Sequence, residues 1–276
     1  MNRPAVVGLG LIGGSLALSL RARGWDRDPE VRRQARERGL EVAETLPEAV
    51  AGADIVVTAV PTDETPALLI ALSQAAPTAI LTDTASLKRP LVQAAQNLRQ
   101  AVRFVGGHPM AGSEASGIAA ARPDLFRGRP WALVPTPRSD EEAIAACEEL
   151  ARAAGARPIR LDAVRHDRLM TWASHLPLSV AAALVRAATA ATGADLPQLA
   201  GPGYLDSTRV AGQPVALALE LALADRESLA GAIDAVSREL SALSAALRLE
   251  DLDALRRFFQ EASEARRKLQ GRSRPV

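Results

Sequence analysis

Lysine occurs only twice in 276 residues, as Lys88 and Lys268, and arginine otherwise carries the positive charge. The imbalance reads as a compositional habit rather than a binding device, because 33 Lys+Arg against 32 Asp+Glu leave a net charge of +1. Such a balance gives no reason to expect nucleic acid or an anionic membrane as a partner. Cysteine is scarcer still. Cys147 stands alone, which excludes disulfide frameworks and thiolate metal clusters. Its setting, Ala145-Ala146-Cys147, is a helical pattern in which it reads as a small buried hydrophobe. No apolar run is long enough to span a bilayer. A strand begins almost at the first residue, so we expect no signal peptide and a cytoplasmic protein. The chain ends soon after its last helix, and no appended regulatory domain is expected.

What is present begins with Ala5-Val6-Val7, a short apolar strand, followed at once by Gly8-Leu9-Gly10-Leu11-Ile12-Gly13. Glycines at the first, third and sixth positions permit a tight turn, close approach of a pyrophosphate and close helix–strand packing. A helix opening near Leu11 points free N–H groups at the phosphates. Alone the pattern is weak; between a strand and a helix at the start of a domain it predicts a dinucleotide site. The acid expected about 20 positions on, to hold the adenine ribose, is Asp26, 18 positions after Gly8. That spacing implies a shortened first helix or a vestigial second strand. Asp26 favours NAD, while Arg27 beside it leaves NADP open. Asp28 doubles as a cap for a helix starting at Pro29. Ala53 to Pro61 reads as a buried parallel strand, and Val60-Pro61-Thr62 should lie against the nicotinamide half of the cofactor.

Strand and helix keep alternating through Ala79–Asp83, Trp131–Pro135, the helix from Asp140 to Ala154 and Arg157–Ile159, which predicts a doubly wound, Rossmann-type α/β sheet over residues 1–162. Ser86, at the carboxyl end of a strand, reads as a helix cap or as a hydroxyl facing His108. Gly106-Gly107-His108-Pro109-Met110-Ala111-Gly112-Ser113-Glu114 follows the apolar run Val102–Val105. The two glycines predict a sharp turn at the strand end, presenting His108 where open sheets bind ligands. Imidazole is the side chain suited to proton exchange near neutrality. After Asp162 strand signals vanish, and residues 163–276 read as an all-helical domain in which Pro177 must kink or loosen a long helix. With this much Ala and Leu, one helical face should bury against a second subunit. None of His108, His166 and His175 has a carboxylate or cysteine at ligand spacing, so no metal is expected. His166 reads as structural.

In order and spacing, Gly8-x-Gly10-x-x-Gly13, Asp83–Lys88, Gly107–Glu114 with Ser116-Gly117, Asp124–Phe126 and Trp131, Ser174-His175-Leu176-Pro177 and Thr208-Arg209 resemble the prephenate/arogenate dehydrogenase family of tyrosine biosynthesis. The resemblance implies oxidative decarboxylation of a cyclohexadienyl substrate, with NAD(P)+ taking a hydride from the hydroxyl-bearing ring carbon. By the same resemblance His108 accepts the hydroxyl proton, Ser86 orients it, and Arg209 grips the ring carboxylate. Ser113 and Glu114 shape the side-chain end of the pocket, and His175 forms its helical wall. Gly8, Gly10, Leu11, Ile12, Gly13, Asp26, Arg27, Val60, Pro61 and Thr62 hold the cofactor. The family's frequent second histidine after Leu-Pro is Leu178 here, which opens the choice between prephenate and arogenate. Two other readings have less support from the residues. A β-hydroxyacid dehydrogenase or imine reductase using lysine is disfavoured, because no lysine lies between Lys88 and Lys268. A nucleotide sensor would need none of Ser86, His108 and Arg209 in register.

Overall fold

One seven-stranded sheet organises the first 160 residues, in a computed structural model that describes residues 3–98, 102–113 and 115–272. The elements alternate as β1 (Pro4–Val7), α1 (Leu11–Leu20), β2 (Arg23–Trp25), α2 (Pro29–Glu37), α3 (Leu46–Val50), β3 (Ile55–Thr58), α4 (Thr65–Ala75), β4 (Ile80–Asp83), α5 (Arg89–Asn97), β5 (Arg103–Pro109), β6 (Pro130–Pro135), α6 (Glu141–Ala153) and β7 (Arg157–Arg160). Strand order is β2-β1-β3-β4-β5-β6-β7. The first five strands run parallel, whereas β6 pairs with β5 antiparallel and β7 follows β6 in parallel. The expected doubly wound fold is present, with this reversal at one side.

Alternation along each strand sends side chains to two separate cores. Val6, Ile55, Val57 and Trp131 pack with Leu16 of α1, Ala35 of α2 and Leu150 of α6. Ala5, Val7, Val56 and Phe104 pack with Ala49 of α3, Leu72 of α4 and Leu91 of α5 on the other face. Each fully buried leucine contributes about 1.5–3 kcal/mol relative to exposure, and both faces together leave the strand ends as the free edge. Cys147 sits in the first core, where burial pushes its thiol up to about 12, so it is an inert hydrophobe as expected. Both predicted compressions before Asp26 occur: α1 ends at Leu20 and β2 has three residues, paired to β1 as Ala5↔Arg23, Val6↔Gly24 and Val7↔Trp25.

The region around His108 differs from the expected turn. β5 continues straight through both glycines to Pro109, and His108 pairs with Ala132 of β6. Gly107 is required for strand approach instead. A Cβ there would lie 2.3 Å from the Asp83 carbonyl oxygen and 3.1 Å from Trp131 Nε1. Ser86 caps no helix, since α5 opens at Arg89 without a side-chain cap.

Beyond β7 the chain is helical: α7 (Ala163–Met170), α8 (Leu176–Thr192), α9 (Leu196–Leu199), α10 (Pro202–Thr208), α11 (Val215–Ala224), α12 (Arg226–Arg248) and α13 (Leu252–Arg272). The stretch Gly201–Val210 is mostly helix α10, followed by a 3-10 turn at Arg209–Gly212. Pro177 loosens its helix as expected. The proline has no N–H for the Ala173 carbonyl and its ring would clash with it, and the chain widens there into a π-helical turn over Thr171–His175. By contacts the chain divides into two compact units, Met1–Ala224 and Asp225–Val276, the second built on α12 packed with α13. No helix among the described residues is long and apolar enough to cross a membrane.

Gly107→Ala is expected to lower stability by about 1–3 kcal/mol, as overpacking does, read as a lower urea midpoint at unchanged m-value. A wild-type midpoint would contradict the close approach of β4 and β5.

Candidate active site

The glycine turn performs three separate steric tasks. Gly8 has φ +94°, and a Cβ on it would lie 2.5 Å from the Ala59 carbonyl oxygen. At Gly13 a Cβ would fall 1.8 Å from the Gly8 carbonyl oxygen, so α1 packs on the turn only with glycine there. Gly10 faces open space, with nothing within 4 Å of a Cβ. Helix α1 starts immediately after it with no side-chain cap and no acid in its first turn. Its leading N–H groups are thus left for an anion. These residues fit a pyrophosphate.

Asp26 lies where the ribose acid was expected and is built into the turn. Its Oδ2 accepts the Leu9 N–H at 2.8 Å and its Oδ1 the Asp28 N–H at 2.9 Å. A carboxylate offers about four acceptor sites, so half remain for a ribose diol. Asp28 caps α2 by accepting the Glu30 N–H at 2.8 Å. A cleft of about 640 Å³ is lined by Gly8, Gly10, Asp26, Arg27, Val60 and Pro61. A second, of about 380 Å³, shares Gly10, Val60 and Pro61 and adds Leu11, Ile12, Thr62, Ser86 and Ser113. Together they form one trough across the carboxyl ends of β1, β3 and β4. Gln213, Pro214, Leu217 and Glu220 close its far end from the helical side, and Glu220 Oε1 accepts the Thr62 N–H at 2.9 Å.

His108, half-buried on β5, belongs to a hydrogen-bonded chain. Its Nδ1 is 3.0 Å from Nε2 of His166, whose Nδ1 is 2.8 Å from Asp167 Oδ1. Asp167 also accepts the N–H groups of Lys88 at 2.8 Å and Arg89 at 2.9 Å. Burial alone would raise the Asp167 carboxyl, but the bonds from His166, Arg89 and Lys88 outweigh it and hold the group below its usual range. Below this chain Lys88, fully buried, forms an ion pair with buried Asp83. Burial lowers the Lys88 ammonium, opposed by Asp83. Asp83 in turn accepts the Gly107 N–H at 3.1 Å and the Ala85 N–H at 2.9 Å. Burial, then the nearby charges of Lys88, His166 and His175, push the His108 imidazole well below 6.5. It is therefore neutral at pH 7, the form that accepts a proton.

The sequence-predicted residues thus divide. Gly10, Leu11, Ile12, Val60, Pro61, Thr62, Ser86 and Ser113 meet in the trough. The Ser113 hydroxyl oxygen accepts the Ala115 N–H at 3.1 Å. His108 pairs with His166 and makes no hydrogen bond to Ser86. His175 is buried in the π-helical turn, close enough for its charge to bear on His108. Arg209 is exposed where α10 passes into the 3-10 turn, and like His108 and His175 it lines neither cleft. Glu114 lies outside the described residues. Sequence reasoning gave Asp83, Lys88 and Asp167 no individual role and read His166 as structural. The available signals were a lysine in a chain nearly without them and an acid adjacent to a histidine. Among the described residues no group of three or more His, Cys, Asp or Glu is placed to hold a metal ion.

The family model described as prephenate dehydrogenase, nucleotide-binding domain, matches residues 16–160, and that of the prephenate dehydrogenase dimerization domain matches residues 162–261. The chain is 30% identical over 275 residues to the prephenate dehydrogenase of Bacillus subtilis, covering 95% of this chain and 74% of that one. Its fold matches that of Synechocystis arogenate dehydrogenase with a TM-score of 0.81 at 31% identity, over 97% of this chain and 99% of the other. It matches Aquifex aeolicus prephenate dehydrogenase, in complex with hydroxyphenyl propionate and NAD+, with a TM-score of 0.87 at 27% identity, over 98% of both. The two family models together span nearly the whole chain, and the glycine turn and cleft described above agree with the first of them: the chain belongs to the prephenate dehydrogenase family.

Proposed function

We propose that the chain oxidatively decarboxylates prephenate to 4-hydroxyphenylpyruvate and CO2, with NAD+ as the hydride acceptor. The observation that carries this reading is the neutral His108 imidazole, anchored through His166 to Asp167, on the strand next to the one whose end carries Ser86. NAD+ bound in the trough would supply the electron sink for a hydride leaving the hydroxyl-bearing ring carbon. His108 accepts the hydroxyl proton as that carbon is oxidised. The ring carboxylate leaves as CO2, its bonding pair enters the ring, and the phenolate oxygen regains the proton. Aromatisation drives the loss of CO2.

His166 and Asp167 are positioning residues in this scheme. A carboxylate on the far histidine fixes that ring's tautomer, and its other nitrogen then fixes His108. Ser86 contacts the substrate hydroxyl from the trough, and Ser113, with Glu114, shapes the side-chain end. His175 forms the helical wall, and Arg209 supplies the guanidinium for the ring carboxylate. The cofactor set is Gly8, Gly10, Leu11, Ile12, Gly13, Asp26, Arg27, Val60, Pro61 and Thr62. The domain division at residues 162 and 163 is supported by the segments that the two family models match. Exposed Val215, Leu219 and Leu223 on α11, and Leu240, Leu247 and Phe259 on α12 and α13, support a homodimer through the helical region. A cytoplasmic setting belongs to the same proposal. A second reading, arogenate as substrate, is favoured by the similarity to the Synechocystis arogenate dehydrogenase.

Absorbance at 340 nm, with prephenate and arogenate each crossed with NAD+ and NADP+, tests the function. Turnover is expected, fastest with prephenate and NAD+, and silence in all four mixtures from folded protein would refute the proposal. His108→Asn is expected to lower kcat by roughly 10²–10⁴, the range for a lost general base; wild-type turnover would dismiss that role. Because the His108 pKa is lowered, its base form persists as pH falls through 6.5. The acid limb of kcat/KM should therefore fall well below pH 6.5, and an inflection at or above that value would contradict the geometry.

A further inference from the structure

The adenosine end of the trough holds a charge arrangement that the reaction does not require. Arg27 follows Asp26 at the end of β2, and its Nη1 donates to Glu64 Oε2 at 2.8 Å. Glu64 comes from 37 residues further along, at the N-cap of α4. Asp26, Arg27 and Glu64 line the same cleft, with Leu68 beside them. The other arginine near this loop, Arg32, is committed to backbone: its Nη1 donates to the carbonyls of Asp26 at 2.8 Å and Arg27 at 3.2 Å. The cleft therefore presents two carboxylates and one guanidinium, and that guanidinium is already paired.

Dinucleotides differ here in a single group, a 2′-hydroxyl or a 2′-phosphate. A hydroxyl donates to a carboxylate such as Asp26. A phosphate needs an unpaired guanidinium in reach and no anion beside it. Asp26 alone does not settle the choice, because an unpaired Arg27 next to it would be a ready phosphate ligand. We propose that Glu64 is a specificity-determining residue for the cofactor: by holding Arg27 in an ion pair and adding a second carboxylate to the cleft, it makes the chain select the 2′-hydroxyl dinucleotide. The side chains of Arg27 and Glu64 are 74% and 35% exposed, and a pair so open to water adds little to stability. Its consequence is instead the sign of the field at the 2′ position. This proposal rests on the reading of the trough as the NAD site.

Isothermal titration calorimetry of the full chain with NAD+, NADP+, 5′-AMP and 2′,5′-ADP reads the effect without turnover. In Glu64→Gln the ratio of NADP+ to NAD+ affinity is expected to rise about tenfold, the scale of one charge near a dianion in water. Binding of 2′,5′-ADP should gain on 5′-AMP in parallel, and both gains should be clearly smaller when Glu64→Gln is made in an Arg27→Ala background, where only the carboxylate's own repulsion is relieved. An unchanged ratio, or a gain equally large without Arg27, overturns the role of Glu64. A wild-type chain that binds neither dinucleotide overturns instead the assignment of the trough.

Discussion

The buried ion pair between Asp83 and Lys88 is the constraint on which the site depends. Asp83 ends β4, and its carboxylate also takes the N–H of Gly107 in β5 and of Ala85 in the following turn. The backbone of Lys88 opens α5 against Asp167 of α7. Two strands and two helices thus converge through two carboxylates. Removing two charges from water is costly, and only complete hydrogen bonding offsets it. Here every partner is supplied by an element that must be in place for His108 to meet His166. The pair therefore ties catalytic geometry to completion of the fold: half of it, buried alone, would be an uncompensated charge.

The same economy governs the nucleotide side. The turn after β1 is stitched to the end of β2 by the Gly8 N–H on the Trp25 carbonyl at 2.8 Å and by the Leu9 N–H on Asp26. A three-residue strand is enough because those two bonds continue its work. The acid proposed for the ribose and the turn proposed for the pyrophosphate are consequently joined before any ligand arrives, which limits the ordering entropy that binding must overcome.

Much of this was legible in the sequence because it is local. Strand–helix alternation, the glycine spacing, the proline in the long helix and the loss of strand signals after Asp162 each write themselves in a few adjacent residues. What escaped was decided by residues distant in the chain. Gly106-Gly107 read as a turn because a glycine pair usually signals one, whereas Gly107 answers to the Asp83 carbonyl and Trp131. His166 read as structural because its partner, His108, lies 58 positions away and meets it only after α7 docks. The pairing of Arg27 with Glu64 is likewise invisible until the turn after β2 meets the N-cap of α4.

The reversal of β6 has a consequence for how this enzyme varies. Because β6 runs back along β5, the connection from Met110 to Arg129 leaves and re-enters the sheet at one end, above the trough. Its second half is fastened down: Ile118 packs where Gly14 leaves space, the Arg122 N–H reaches Ser15 Oγ, and Arg38 holds the carbonyls of Ala119 and Ala121. The first half brings Ser113, Ala115 and Ser116 to the trough. None of these three residues belongs to the strand that carries His108. The lining of the cleft and the ladder that fixes the imidazole are in this sense separate pieces of chain, so a change in one leaves the register of the other intact.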